Sequence, residues 1–282
     1  MEIYLTTEHA YALTPQFDVD TALGRIEQKK MNLAAGMVGA LLSRSKPEEL
    51  QLTSTENRLE PFWLVTASSR TVYDRAATYT VTTGWKDVKS VTLLGQDLTV
   101  VSQPKGDPAF KLAAIEHCVQ ELRIQQTFDG VTGTKIDFQK YANFARVEIS
   151  DLSTFNPEGI LLIPPQVRAT AVVRQVTTEV VQPVKNAQAI HEERVDIETV
   201  DLNFRPVYAF EYEWITKNKK VIIEFDPLTS EMRTGGKKLR DQIKGIITRD
   251  FLFDVTADAI GTIVPGGSIA VKLVKAVVDR KK

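Results

Sequence analysis

The 282-residue chain has little of what several common protein classes require. Its single cysteine, Cys118, cannot form a disulfide within the chain, which excludes a disulfide-stapled scaffold. With only three histidines beside that cysteine, the chain also lacks the ligands of a zinc finger. Glycine and proline number 15 and 12, too few for collagen or for a low-complexity chain. The sequence therefore predicts no cofactor and no metal site.

Strong net charge and long apolar runs are also missing. Basic and acidic residues number 35 and 36, whereas a nucleic-acid binder usually carries a basic excess, so nucleic acid is disfavoured as a partner. The first residues, MEIYLTTEHAYAL, lack the basic and apolar regions of a secretory signal. The longest uncharged apolar run near the start, 32–43, is too short to span a membrane. We therefore expect a cytoplasmic protein, with attachment to a membrane surface as the alternative.

The composition is that of a folded protein. Hydrophobic residues make up 43% and charged residues 25%, which is enough for a sizeable core. The apolar patterns predict an α+β fold, with antiparallel β-sheets and flanking helices, and they suggest two related halves followed by a C-terminal helical hairpin. The expected units are an N-terminal α+β half over 1–135, a second α+β half with an aromatic hairpin over 136–236, and the helical hairpin over 237–282.

Several segments have the 3.6-residue apolar period of helices. Two of them begin with recognised start signals. Asp18 or Asp20 can cap the first, and Asp107 followed by Pro108 opens the second. The predicted helices cover 20–43, 107–126, 166–181 and most of 237–282.

Strand patterns dominate elsewhere, chiefly at 50–104 and 206–225. In the second region four aromatic residues share one face of a strand, while Glu211 and Glu213 lie on the other. We expect the aromatic face to pack under a helix and the two acids to be solvated, with a base-stacking platform as the alternative. The aromatic residues are Tyr208, Phe210, Tyr212 and Trp214.

The strand that returns from this hairpin is followed by a distinctive turn. The run VIIEFDPLTSE at 221–231 leads a strand into a turn that contains Asp226 and Thr229, and it resembles the end of PepSY-like modules. The resemblance implies a small helix-on-sheet fold that serves binding rather than catalysis. Ser230 stands where those modules have the turn glycine, and the chain is not assigned to that family.

Two distant segments share a local pattern. Leu59–Val65 and Phe204–Phe210 each place an apolar residue two positions before a proline and continue as an aromatic-rich strand. The pattern suggests an internal duplication that produced the two halves. Coincidence is the alternative, because proline often precedes an edge strand.

Catalytic and phosphate-binding motifs are incomplete. Neither 129–135 nor 233–238 has the glycine and lysine spacing of a Walker loop, and no G-x-G-x-x-G or G-x-S-x-G is present. His117 and Cys118 are adjacent in sequence, so on the predicted helix they would not face each other as base and nucleophile. The run at 191–193, His-Glu-Glu, cannot direct three ligands to one metal ion along a strand. We do not expect an enzyme, and one with a dispersed active site is the alternative.

The glycine pair Gly235–Gly236 is a candidate ligand site. If a helix begins there, its backbone amides and the basic residues behind them would converge on an anion or a lipid headgroup. A plain glycine turn before a solvated basic helix is the alternative. The candidate anion- or lipid-binding residues are Lys237, Lys238, Arg240 and Lys244.

Apolar residues on either side of a Pro-Gly-Gly turn at 265–267 predict two short C-terminal helices, 255–264 and 268–279. These helices could dock a partner or lie on a membrane surface, and packing onto the chain's own core is the alternative. The candidate partner-binding residues are Ile263, Ile269, Leu273 and Val277.

Together these patterns predict a non-enzymatic binding or assembly protein that acts through protein–protein contacts. Its partner would be another protein or a second copy of itself, and the contact would use the C-terminal helices or the sheet. A peripheral membrane protein anchored by 237–282 is the first alternative, and an enzyme with a dispersed active site is the second.

Overall fold

The computed structural model of the chain describes residues 1–35, 46–103, 106–236, 249–253, 255 and 272–275. Within these residues β structure predominates. The strands are β1 (Glu2–Leu5), β2 (His9–Leu13), β3 (Leu50–Thr82), β4 (Ser90–Leu93), β5 (Gln96–Thr99), β6 (Ala109–Asp129), β7 (Lys135–Ile136), β8 (Arg146–Glu148), β9 (Leu161–Leu162), β10 (Ala187–Trp214), β11 (Lys219–Phe225), β12 (Met232–Thr234) and β13 (Lys272–Lys275). The α-helices that lie wholly within the described residues are α1 (Val19–Glu27), α2 (Ala169–Val180) and α3 (Arg249–Leu252), and residues 30–35 are also helical.

Eleven of these strands form one mixed sheet built around three very long ones. β3 lies at its centre and pairs antiparallel with β10 on one side and with β6 on the other. The second edge of β10 is shared in succession by β1, β2 and β11, of which the first two run parallel to it. β12 and β7 extend the main strand order at its two ends, and β4 and β5 form a separate hairpin. The predicted α+β fold with two halves and a helical hairpin is therefore wrong.

The second predicted helix is the clearest local error. Residues 109–129 form β6, because they pair residue by residue with β3 over its distal part. Ile115 and Val119 are exposed on one face of this strand, while Leu112 and Leu122 lie half-buried on the other. Their spacing also satisfies a helical period, and pairing with a distant strand outweighs that local preference.

The C-terminal prediction is corrected at one place. Within the predicted helix 268–279, residues Lys272–Lys275 are β13 and pair parallel with β1, where Leu273 is opposite Ile3. A short helix does occur earlier, as α3. The rest of the predicted helical region lies largely outside the described residues.

Other local predictions are confirmed. Asp18 caps α1, because its carboxylate accepts a hydrogen bond from the backbone N–H of Thr21 at 2.8 Å. α2 lies within the predicted helix 166–181, and its Val172, Val173 and Val176 are fully buried against the sheet. Two short strands, β1 and β2, precede α1.

The aromatic stripe on β10 lies in the core, as predicted. All four of its side chains are buried. They form one core cluster with residues of α1 and of the neighbouring strand β11. On the opposite face Glu213 is exposed, but Glu211 is buried and pairs with Lys220 at 2.7 Å. The expectation that both acids are solvated is thus wrong for Glu211, because the lysine compensates its charge.

The two segments that suggested a duplication are neighbours in space. Pro61 of the first lies opposite Phe204 of the second, and Leu59 lies opposite Pro206, in the antiparallel ladder between β3 and β10. Both segments therefore belong to one continuous sheet. Their similar composition suits two adjacent central strands that contact the same core.

Among the residues described, no helix is both long and apolar enough to cross a membrane.

Candidate functional site

The distal parts of β3 and β6 form a projection that we call the arm, residues 70–121. β10 pairs with β3 only as far as Arg75, which lies opposite Ala187, the first residue of β10. Beyond that point β3 and β6 continue as a two-stranded ribbon to the pair Thr82 and Ala109. The connection between β3 and β6, residues 83–108, contains the hairpin of β4 and β5. We call this connection the tip. A two-stranded ribbon is only marginally stable in water, so additional contacts must stabilise the arm.

Cross-strand polar pairs stabilise the inner part of the arm. Glu116 accepts hydrogen bonds from the hydroxyl of Tyr79 at 2.7 Å and from the guanidinium of Arg75 at 2.8 Å, and these bonds lower its pKa. On the other face, Asp74 lies 2.7 Å from a ring nitrogen of His117 and 2.8 Å from one of His191. Hydrogen bonds from these two rings lower the pKa of Asp74.

The arm exposes large apolar side chains. Of the twelve that are exposed among the described residues, eight lie on it. The most accessible are at the tip, where Leu94 is 97% exposed and Trp85 78% exposed. They lie on both faces of the ribbon, with Tyr79 and Val81 on one face and Ile115 and Val119 on the other. Such a concentration of exposed apolar side chains in one element suits an interaction surface. The eight are Tyr79, Val81, Trp85, Leu93, Leu94, Val101, Ile115 and Val119.

The backbone at the tip is also unusual. Leu94 and Gly95 form the turn between β4 and β5, and both have positive φ, of 53° and 80°. A glycine adopts this conformation without cost, whereas a leucine is disfavoured by about 1–2 kcal/mol. The chain thus holds a fully exposed leucine in a conformation that favours asparagine or glycine, and such outliers often mark function.

A second candidate is a cleft of about 680 Å³ at the other end of the long strands. Arg58 and Glu60 of β3 form part of its wall, together with Arg205 of β10 and Glu224 of β11. We call this the charged cleft. The loop after β6, through Phe138, and the segment around Arg233 complete its lining.

Arg58 is the centre of the charged cleft and is almost fully buried. Its guanidinium lies 2.7 Å from Glu60 and 3.3 Å from Glu56, and it also forms an ion pair with Glu224. Burial alone would lower the pKa of Arg58, but the charges of Glu60 and Glu224 outweigh burial and raise it. Burial would likewise raise the pKa of Glu224, but the charges of Arg58 and Arg233 lower it.

A second buried contact lies beside this network. The hydroxyl of Tyr141 donates a hydrogen bond to Asp226, and Arg205 lies 3.9 Å from the same carboxylate. Burial, followed by the bond to Asp226, raises the pKa of Tyr141. The tyrosine therefore stays protonated near neutral pH.

The arginines and carboxylates of the cleft pair with one another, and the carboxylates outnumber the arginines by one. Three arginines, at 58, 205 and 233, face four acids, at 56, 60, 224 and 226. An added anion would meet net negative charge there. The shifts described above also hold arginine charged, glutamate ionised and tyrosine protonated, so these groups are not poised for proton transfer at neutral pH.

The glycine pair of the predicted anion site lines this cleft. Gly235 has a φ of +90°, as expected for a glycine turn, and Gly236 lies against the Glu224 carboxylate so closely that a methyl group would clash with it. A carboxylate thus already occupies the space in front of the second glycine. The predicted basic residues Lys237, Lys238, Arg240 and Lys244 lie outside the described residues.

The predicted partner-binding residues are mostly outside the described part as well. Ile263, Ile269 and Val277 fall there, and Leu273 lies on β13. Of these eight predicted residues, only Leu273 belongs to the part of the chain that the structure describes.

The assignment of β6 as a strand also shows how the adjacent candidates His117 and Cys118 are oriented. Cys118 is half-buried on β6, and His117 faces the opposite side of the strand, towards Asp74. No cluster of three or more possible metal ligands was found in the described part of the chain.

Sequence reasoning missed the arm, and of the charged cleft it found only the glycine pair Gly235–Gly236. The arm was not predicted, because a helix was expected over 107–126 where β6 lies, although β3 itself was expected within 50–104. A usable signal was the pair Leu94–Gly95 between two short β-prone segments, which has the form of a two-residue hairpin turn. The buried charges of the cleft gave no such signal, because they come from three separate strands and the turn after β11.

Comparison with known proteins returns no match: no protein family, no curated protein and no solved structure is similar to this chain.

Proposed function

We propose that this chain is a non-enzymatic binding and assembly protein that acts through its arm. The observation that carries the proposal is the concentration of exposed apolar side chains there, eight of the twelve among the described residues. Burying such side chains against another protein would remove them from water, at a gain of about 25 cal/mol per Å² of apolar surface. A projecting two-stranded ribbon would also gain stability from any partner that packs on it.

The strained turn at the tip supports this function. A leucine at position 94 costs conformational energy and leaves a large side chain in water, so folding gains nothing from it. Binding would reward the same side chain, because exposed aromatic and aliphatic anchors such as Trp85 and Leu94 insert into partner pockets. Stability lost at a site that function needs is a common trade-off.

The charged cleft is less suited to function as an active site. Its buried acids and arginines satisfy one another, and their pKa shifts stabilise the ionisation states that they ordinarily have at neutral pH. Such a network fixes the geometry where β3, β10 and β11 meet. We therefore assign the cleft a structural role and the arm the functional one.

The experiment uses a variant that separates binding from stability. Leu94→Asn creates an Asn-Gly turn, which suits the positive φ angles, so the free energy of unfolding should stay equal or rise by up to about 1 kcal/mol. Binding should nevertheless weaken. Ile215→Ser, which removes a half-exposed apolar side chain far from the arm, is the control.

Association is measured by light scattering for self-assembly and by quantitative co-purification from the native cells for other partners. The proposal predicts that Leu94→Asn and Trp85→Ser lose association that wild type and Ile215→Ser retain. If all four proteins associate equally, or if none associates, the arm is not the binding element.

We also propose the cytoplasm as the compartment, because the half-buried thiol of Cys118 fits a reducing environment. Attachment to a membrane through 237–282 remains the alternative.

A further inference from the structure

The outer edge of β6 is a long strand edge without a partner in the described structure. Val101 pairs with Ala109 at its start, and β7 pairs with β6 only from Thr127 onward. From 110 to 124, none of the strands in the described residues joins this edge. Unpaired N–H and C=O groups along a strand favour the addition of another strand.

This edge lacks two of the features that usually prevent pairing, proline and bulges, although it carries charged side chains. The segment 110–124 contains neither proline nor glycine. The ladder between β3 and β6 runs from Thr82 to Phe62 without a register shift, whereas the ladder between β3 and β10 has four. Bulges and prolines are the common means by which proteins protect an edge. The edge of β6 is therefore long, regular and unpaired over 110–124 among the described strands.

We propose that the outer edge of β6 pairs antiparallel with the same edge of a second copy of this chain, with Lys111 of each copy opposite Glu121 of the other. The proposal rests on the proposed function, since it names the partner of the arm. Pairing over 110–122 would form about a dozen backbone hydrogen bonds, which is typical of a stable interface.

Charge complementarity selects the second copy and the register. Lys111 and Glu121 lie on the same exposed face of β6. Glu121 lies 3.1 Å from Arg70 of its own chain but is still two-thirds exposed, and Lys111 has no ion-pair partner among the described residues. A two-fold axis at Glu116 sets each lysine opposite a glutamate. Moving the axis by one residue, to His117, would instead set Lys111 opposite Arg123, a like-charge pair.

The side chains at the centre of this register are also compatible with pairing of the two strands. The axis brings Glu116 of the two copies together, but each carboxylate is already paired with Arg75 and Tyr79 of its own chain. On the same face, Ala114 comes opposite Cys118 of the other copy. These are small side chains that allow close approach of the two strands.

Charge reversal tests the register in the full-length chain. Lys111→Glu alone creates two Glu–Glu pairs and Glu121→Lys alone creates two Lys–Lys pairs, so each should weaken the dimer about tenfold. An equimolar mixture of the two variants forms only opposite-charge pairs and should dimerise with near wild-type affinity. Lys89→Glu, which makes the same change in net charge at the tip, is the control.

Disulfide trapping gives an independent test. Ala114→Cys should form a covalent dimer with the native Cys118 of the other copy when diamide is added, because directly opposed strand residues lie within disulfide distance. Positions 114 and 118 of one strand are about 13 Å apart and cannot crosslink internally. Adding Cys118→Ser should abolish the crosslink.

The outcomes separate this inference from the proposed function. If the chain dimerises but the mixture of reversed variants does not recover affinity, and no crosslink forms, then the dimer uses another surface and this inference is wrong. If the chain is a monomer that binds another protein through Leu94 and Trp85, only this inference fails. If it neither self-associates nor binds through those residues, both fail.

Discussion

Replacing Arg58 by methionine should destabilise the protein strongly and in a pH-dependent way. Methionine keeps most of the length of the apolar stem, so the change isolates the loss of the guanidinium. Arg58 contacts three carboxylates, of which Glu56 and Glu224 are themselves buried. Removing one partner of a buried ion pair costs about 3–5 kcal/mol, because the remaining charge is left in a poorly solvating site. We expect a loss of that size near neutral pH.

The pH dependence follows from Glu224. Its pKa is lowered from the ordinary value of 4.5, so pairing contributes stability that is fully present above that value and is lost as pH falls through the lowered pKa. In the Arg58→Met protein most of this support is absent at every pH. The difference in unfolding free energy between wild type and variant should therefore be largest near neutral pH and shrink as pH falls below 4.5.

Urea unfolding followed by circular dichroism, at neutral and acidic pH, measures both effects. Arg194→Met is the matched control, because Arg194 pairs with Asp196 on the surface and should contribute no more than about 1 kcal/mol. The reasoning would be refuted if both variants lost the same small amount. It would equally fail if the Arg58→Met difference did not change with pH.

Three further predictions concern packing and backbone conformation, and thermal or urea unfolding checks each. Ser230 has a φ of +61°, so Ser230→Gly should stabilise by up to about 1 kcal/mol and Ser230→Val should destabilise; a gain from valine would contradict the argument. Gly130→Ala would place a methyl group 2.7 Å from Pro61 and should cost about 1–3 kcal/mol, whereas Gly84→Ala, which faces open space, should cost less than about 0.5; equal effects would be contrary to expectation. Val176→Ala removes a fully buried side chain from α2 and should cost about 2 kcal/mol, and a neutral result would show that the helix does not pack as described.

The turn at 226–230 forms as predicted although position 230 holds a serine in place of the turn glycine. Asp226 accepts a hydrogen bond from the backbone N–H of Leu228 at 2.8 Å, as the acid at this point of a turn should. Ser230 adopts the left-handed conformation that a glycine would favour. The strand and turn were thus predictable from the segment 221–231 alone.

The amino-acid sequence by itself determined the features that depend on near neighbours. Asp18 predicted the cap of α1, a helix was predicted over 166–181, where α2 lies, and the two-residue alternation at 208–214 predicted a strand with its aromatic face inside. Each of these depends on contacts within a few residues or on a simple apolar periodicity. The charge balance and the single thiol likewise limited the classes of protein to consider.

Only the tertiary structure decided the sheet and the candidate sites. β6 and β13 are strands because they pair with β3 and β1, whose residues lie far away in sequence, and a helical period in the same residues is outweighed by that pairing. Glu211 and Arg58 are buried because residues of other strands neutralise their charges. Local sequence could not reveal such partners, because the free energy of a buried charge or a paired strand depends on what the folded chain places beside it.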